Sequence, residues 1–351
     1  MSRALPINDL DHIVCYAENA FNALRNGRIF ITGGTGFFGV WLLESLLYAN
    51  KKLSLNIEIT ALSRHVGKFK TQFPNIANDK SVVFVEGDVR YFVFPDKKFS
   101  HVIHAATEAS LKLNTENPTK MLDVILQGTK HTLDFACHCQ AESILLVSSG
   151  AVYGRQPPEL LHISEDYLGS PDILNSAWAY GIGKRTVEHM ALLYAKQHNL
   201  NIKIARCFAF VGPYLPLDTH FAIGNFIRDI LQNKNIEILG DGTPYRSYQY
   251  AADLVIWLLT ILCFGEKCVP YNVGSDEAVS IKETAEKVAD FSQSSQVIIA
   301  KKPDETVLPE RYVPSIERAK KALSLKNYID LTEGIRRTSQ WYQEEKKHET
   351  I

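Results

Sequence analysis

Three residues of this chain have the types and spacing to move a proton and steady the oxygen it leaves: Ser149, Tyr180 and Lys184. Tyr180-Gly-Ile-Gly-Lys184 sets a phenol and an ammonium at i and i+4, which puts both on one face of a helix. A lysine held close to a phenol favours the phenolate and draws its pKa down from about 10 towards neutrality. Ser149, in Val147-Ser-Ser-Gly150, offers a hydroxyl to the same substrate oxygen. Together they suit hydride transfer at a carbinol carbon, with Tyr180 as base, Ser149 as orienter, and Lys184 as electrostatic partner and ribose ligand. Tyr-x-x-x-Lys recurs by chance in chains of this size. Its position, after a serine-bearing strand end and downstream of a glycine loop, gives it meaning.

That loop is Thr32-Gly-Gly-Thr-Gly-Phe-Phe-Gly39, between the apolar run Arg28–Ile31 and a helical pattern from Val40 to Leu47. Gly33 can take a tight turn, Gly36 lets backbone N–H groups approach a pyrophosphate, and Gly39 lets helix and strand pack closely. The helix N-terminus at Phe37 and Phe38 adds about half a positive charge of dipole. The spacing therefore predicts a dinucleotide site, although a glycine triplet alone would also fit a structural turn. After the second apolar run stands Ser63-Arg64-His65, with no carboxylate for a ribose 2′-hydroxyl. Arg64 can pair with a 2′-phosphate, which favours NADP over NAD, or it is a solvated strand-end arginine. Asp88 and Val89 follow the third run, where a carboxylate can accept from the adenine amino group. Ala105 and Ala106 follow the fourth, and their small side chains leave room for ribose and phosphate.

These residues need strands to end beside one another. Short apolar runs at 28–31, 57–62, 82–85, 102–103, 144–147 and 202–205 alternate with helical patterns. Asn117-Pro118 reads as an N-cap and first helical residue of a long helix, and another helix is expected from about Trp178 to His198. The fold class that follows is α/β, a doubly wound parallel (Rossmann) sheet with a smaller α/β C-terminal substrate lobe. The expected divisions are a helical appendage over 1–27, a dinucleotide-binding domain over 28–206, and a mainly substrate-binding lobe over 207–351 with segments returning to the first domain. Asp9, Leu10, Ile13, Val14, Ala17, Ala20, Phe21 and Leu24 predict one helix in the appendage, packed across the sheet. Glu344 to Thr350 reads as a solvated tail.

Net charge is −1 over 351 residues, which offers no electrostatic case for nucleic acid or an anionic membrane. The longest apolar run, Leu254 to Phe264, is too short to span a bilayer, and no secretory signal is visible. The six cysteines contain no Cys-x-x-Cys; Cys137-His138-Cys139 lacks a second ligand pair, so no metal is expected and the thiols read as reduced and cytoplasmic.

With Gly33-x-x-Gly36-x-x-Gly39, Ser148-Ser-Gly-Ala-Val-Tyr-Gly154 and Tyr180-x-x-x-Lys184, the chain resembles the extended short-chain dehydrogenase/reductases. Within them it resembles the NAD-dependent epimerase/dehydratase family acting on nucleotide sugars, over roughly residues 28 to 340. The resemblance implies a nucleotide-diphosphate sugar, oxidation at sugar C4, a tightly bound NADP or NAD, and a homodimer formed through helix pairs. It implies that Asn225 touches the substrate diphosphate and that Arg246 binds its phosphates. Three departures stand out. Dehydratases and UDP-glucuronate decarboxylases of the family carry an acidic residue directly after the catalytic hydroxyl, where this chain has Gly150-Ala151; Glu108 is the nearby candidate for that role. Ala209 stands where asparagine is usual, and the C-terminal phosphate-binding arginine is replaced by Lys301-Lys302 or has moved to Arg311. The expected activity is therefore 4-epimerisation. A 4,6-dehydratase or decarboxylase, an NADPH-dependent 4-keto reductase, and a non-catalytic cofactor-sensing module are the alternatives.

Overall fold

The six apolar runs fold as strands β1 (Arg28–Thr32), β2 (Glu58–Ser63), β3 (Val82–Glu86), β4 (His101–His104), β5 (Ser143–Ser149) and β6 (Ile202–Cys207) in a computed structural model. The model describes residues 2–107, 111–219, 221–292 and 294–349. A further strand, Pro270–Val273, pairs with β6, giving the order Pro270–Val273, β6, β5, β4, β1, β2, β3. Every pairing in this seven-stranded sheet is parallel. Strands β4 and β5 are buried along their whole length, as a sheet covered by helices on both faces requires. The order reverses between β1 and β4, so their carboxyl ends diverge into a crevice of the kind that binds ligands in doubly wound sheets.

One face of the sheet carries a core in which Phe30 of β1 packs 4.5 Å from Phe135, with Phe92 and Phe99 around it. On that face lie the helices Pro118–His138 and Ala179–Gln197, which pack on each other. The first opens as its sequence predicts: the Asn117 side chain accepts from the Lys120 N–H, and Pro118 occupies the first turn. The opposite face is covered by Phe37–Lys52 and Ala251–Phe264, whose Trp41 and Trp257 are fully buried.

Two expectations need correction here. The amino-terminal segment forms two helices, Ile7–Tyr16 and Glu18–Ala23, because the backbone leaves helical geometry at Ala17 (φ −111°). They pack chiefly on Phe37–Lys52 and Ala251–Phe264, as an outer layer over helices rather than across the sheet. The reason lies in Asp9, only 1% exposed, which accepts from the Tyr250 hydroxyl and pairs with Arg337. The charged carboxyl end, expected as a solvated tail, is helical as far as Glu349: Leu331–Glu349 is one helix, and Glu344 pairs with Arg3.

Beyond β6 the chain builds short strands. Tyr245–Arg246 lies between Val279–Ser280, antiparallel to it, and Arg311–Tyr312, parallel to it. This small sheet brings residues far apart in sequence to the carboxyl ends of β5 and β6.

Candidate active site

Ser149 is the last residue of β5, Tyr180 and Lys184 lie in the first turns of Ala179–Gln197, and the structure brings the three together. The Asn114 side chain accepts from the Tyr180 N–H at 3.1 Å, anchoring the start of that helix. Lys184, 3% exposed, donates to the Val147 carbonyl at 2.9 Å and the Thr107 hydroxyl at 2.7 Å, and its Nζ stands 5.9 Å from the centre of the Tyr180 ring. The lysine is thus clamped between β5 and the loop after β4.

The electrostatics differ from the sequence expectation. Burial pushes the Tyr180 phenol up to about 12, against the pull of a hydrogen bond from Ser149, and Lys184 does not offset it. Burial also draws Lys184 down to about 8. Without a dinucleotide, the buried site therefore disfavours both charges. His104, fully enclosed between Thr32 and Thr129, is held neutral by burial and by Lys184, down to about 3, and serves as packing.

The glycine loop fits a dinucleotide. Gly33 has φ +74°, and a Cβ there would stand 2.6 Å from the Ala105–Ala106 peptide. A Cβ at Gly39 would meet the Gly33 carbonyl oxygen at 2.3 Å, so both positions exclude side chains. Gly36 is different: it is exposed, and the nearest atom to its Cβ position is 3.6 Å away. The helix that begins at Phe37 has no side-chain cap and no acidic residue in its first turn, leaving its N–H groups to an anion. Gly36→Val should therefore leave the thermal unfolding of the cofactor-free protein almost unchanged while weakening NAD+ binding, measured by calorimetry, at least ~10-fold.

Arg64 is exposed at the end of β2 and faces Asp88, whose carboxyl is held below its usual range by Arg90 first and by Arg64 to a lesser degree. Arg90 grips both Asp88 oxygens at 2.9 Å. The Val89 side chain is turned into the core against Gly128. Ala105 and Ala106 donate to the carbonyl and hydroxyl of Thr32, fixing the floor between β1 and β4. Phe37 and Phe38 are half-buried, and Phe38 packs edge-on against Phe210.

The residues expected to meet the substrate are more dispersed. Arg246 stands in register with Tyr312, beside Ser149. Asn225 lines a cavity of about 910 Å³ that runs past Arg228, Gly240 and Asp241 to Pro244, next in the chain to Tyr245–Arg246. Arg311 is tied elsewhere, donating to the Pro158 carbonyl and stacking 4.3 Å over Tyr245. Glu108 lies outside the described residues. Sequence reasoning missed Thr107, which holds Lys184, and Cys207, which pairs in register with Ser149. It also missed Tyr312, because a two-residue strand has no periodicity to read. Among the described residues there is no group of three or more metal-ligating side chains, and no helix is long and apolar enough to cross a membrane.

A doubly wound sheet with a glycine loop after β1 and a Ser-Tyr-Lys cluster at β5 defines a Rossmann-type enzyme. The chain belongs to the NAD dependent epimerase/dehydratase family, whose model matches residues 29–274. It is similar to the UDP-glucuronic acid decarboxylase 1 of Danio rerio, 29% identical over 322 residues that cover 92% of this chain and 74% of that protein. Among solved structures, the epimerase Mth375 of Methanothermobacter thermautotrophicus superposes with a TM-score of 0.80 at 21% identity, over 95% of this chain and 97% of that one. The UDP-glucuronic acid 4-epimerase of Bacillus cereus, in complex with UDP-glucuronic acid and NAD, gives 0.74 at 22% identity, over 90% and 99%.

Proposed function

We propose that this protein is a nucleotide-sugar 4-epimerase that works through a 4-keto intermediate. The observation that carries the reading is the composition of the site. Ser149, Tyr180 and Lys184 converge at the carboxyl end of β5, while Gly150 and Ala151 supply no proton-transfer group beside them. A nicotinamide dinucleotide bound at this site would supply reversible hydride acceptance from the sugar carbon. Tyr180 removes the proton of the C4 hydroxyl and later returns it, Ser149 holds the oxygen, and Lys184 keeps the phenolate in reach. Gly33, Gly36 and the N–H groups of Phe37 and Phe38 would hold the pyrophosphate, Asp88 and Val89 the adenine, and Ala105 and Ala106 the ribose. Asn225 and Arg246 would take the nucleotide end of the sugar donor, and Arg311 supports Tyr245 behind them. Because no net oxidation occurs, the cofactor stays bound through turnover.

The likeness to a UDP-glucuronic acid decarboxylase favours a second reading. Oxidation at C4 of a uronic sugar makes a β-keto acid, which loses CO₂ without needing an acid for a leaving hydroxyl. Elimination of water does need one, so dehydration fits Gly150-Ala151 poorly. Mass spectrometry of the products from UDP-glucose and UDP-glucuronate decides: unchanged mass with altered retention supports epimerisation, and loss of CO₂ overturns it. Stoichiometric consumption of NADPH would point instead to a reductase.

Arg64, with no carboxylate at the end of β2, favours NADP over NAD. Arg64→Ala should lower the affinity for NADP+ about 10-fold and leave that for NAD+ within a factor of two, by calorimetric titration. Leu192 and Leu193, both nearly half exposed on Ala179–Gln197, support a homodimer through that helix. The free thiols support a cytoplasmic setting.

A further inference from the structure

A second phenol meets Ser149. Tyr312 arrives from the small sheet, in register with Arg246, and its ring lies 4.7 Å from that of Phe208, tilted by 36°. Its hydroxyl lies 2.6 Å from the point where a Cβ on Gly150 would stand, with the Phe208 ring at 2.7 Å from the same point. Gly150 thus leaves the space that this hydroxyl fills. The Ser149 hydroxyl adjoins both phenols, near enough to draw the pKa of Tyr180 and of Tyr312 downward against their burial. A serine has one proton and two lone pairs, and one lone pair here already takes the Ala151 N–H at 3.2 Å; with two phenols in reach, that leaves the proton for one and a single lone pair for the other.

The two phenols are not equivalent. Burial holds Tyr312 protonated well above the usual tyrosine range, and the neighbouring Tyr180 and Cys207 push the same way, outweighing Ser149 and Arg246. Tyr180 is the phenol next to Lys184. We propose that Tyr312 is a positioning residue: it donates to Ser149 Oγ and so fixes the single Ser149 proton on the side of Tyr180 and the sugar oxygen. No proton leaves Tyr312. Its work is to stop Ser149 from turning its proton away when Tyr180 becomes a phenolate. This rests on the catalytic roles proposed above for Ser149 and Tyr180.

The test reads Tyr180 directly and needs no sugar, so it stands apart from the choice of reaction. The full chain carries 3-fluorotyrosine at position 180 alone, and its ionisation is followed by fluorine NMR with NAD+ present. Tyr312→Phe should raise the titration midpoint by about 0.5–1 pH unit, the worth of one hydrogen bond. In a Ser149→Ala background the same substitution should shift nothing, since the relay is already cut. Gly150→Ala, which keeps the phenol but drives its oxygen away, should also raise the midpoint. An unchanged or lowered midpoint in Tyr312→Phe overturns the proposal, as does an equal shift without Ser149. In turnover of whichever UDP-sugar is converted, the acid limb of the kcat profile should move up with the NMR midpoint while KM stays constant. A uniform loss at every pH would mean a structural role only.

Discussion

Tyr180→Phe should reduce turnover at least ~100-fold, the usual worth of a positioned general base, while leaving fold and cofactor affinity nearly intact. The ring carries the packing of this position: it lies against Met121, Ile125 and Val187, and phenylalanine keeps that contact. Lys184 also keeps its place, because its partners are the Val147 carbonyl and Thr107 rather than the phenol. What is lost is the oxygen proposed to take the C4 proton, and Ser149 has no base of its own to replace it. Steady-state kinetics and calorimetric NAD+ titration on the same preparation separate the two effects. A rate within threefold of the parent would remove Tyr180 from the chemistry. The wild-type rate should climb with pH as the phenol ionises, since burial raises its pKa and the phenolate is the scarce form. That limb should be absent from the variant.

The sequence made the parallel sheet legible because each buried strand is a near-continuous apolar run between helical patterns. Pro270–Val273 was not legible: it begins with proline, and it carries Asn272, buried because its side chain donates to the carbonyls of Ile163 and Ser315. The same contrast holds in the site. Gly33, Gly39, Ser149, Tyr180 and Lys184 could be named because their places follow from local spacing around a strand end. Tyr312 could not, since it reaches Ser149 only through a two-residue strand laid beside Tyr245–Arg246. Lys184 stands where the spacing puts it, 5.9 Å from the centre of the Tyr180 ring, but the burial around it could not be read from the spacing. Spacing at i and i+4 reports direction along a helix and says nothing of desolvation, which here raises the pKa of Tyr180 and lowers that of Lys184.

Arg206→Met should destabilise the protein by about 3–5 kcal/mol, because it strands a buried carboxylate. Arg206 sits on β6 in register with Ser148, and its Nε lies 3.1 Å from each oxygen of Glu188, with Nη2 at 2.7 Å from the second. Both side chains are at most 15% exposed. The other Glu188 oxygen accepts from the Ser148 hydroxyl, and Arg206 Nη1 donates to the Tyr153 hydroxyl at 2.8 Å. Tyr153 in turn donates to Asn272, whose N–H donates to Glu165. The network therefore ties β5, β6, Pro270–Val273 and the turn after Ser149 to the helix bearing Lys184, one turn before Glu188. Urea unfolding should show the loss as a lower midpoint with little change in slope, and kcat should fall with it as Ser149 loses its fixed neighbour. Adding Glu188→Leu should restore most of the stability, since a pair replaced by apolar side chains leaves no uncompensated charge. It should not restore the rate, because Ser148 then loses its acceptor as well. A single variant that unfolds within 1 kcal/mol of the parent would mean that Glu188 finds water, and that the strand end carrying Ser149 is held by β5 pairing alone.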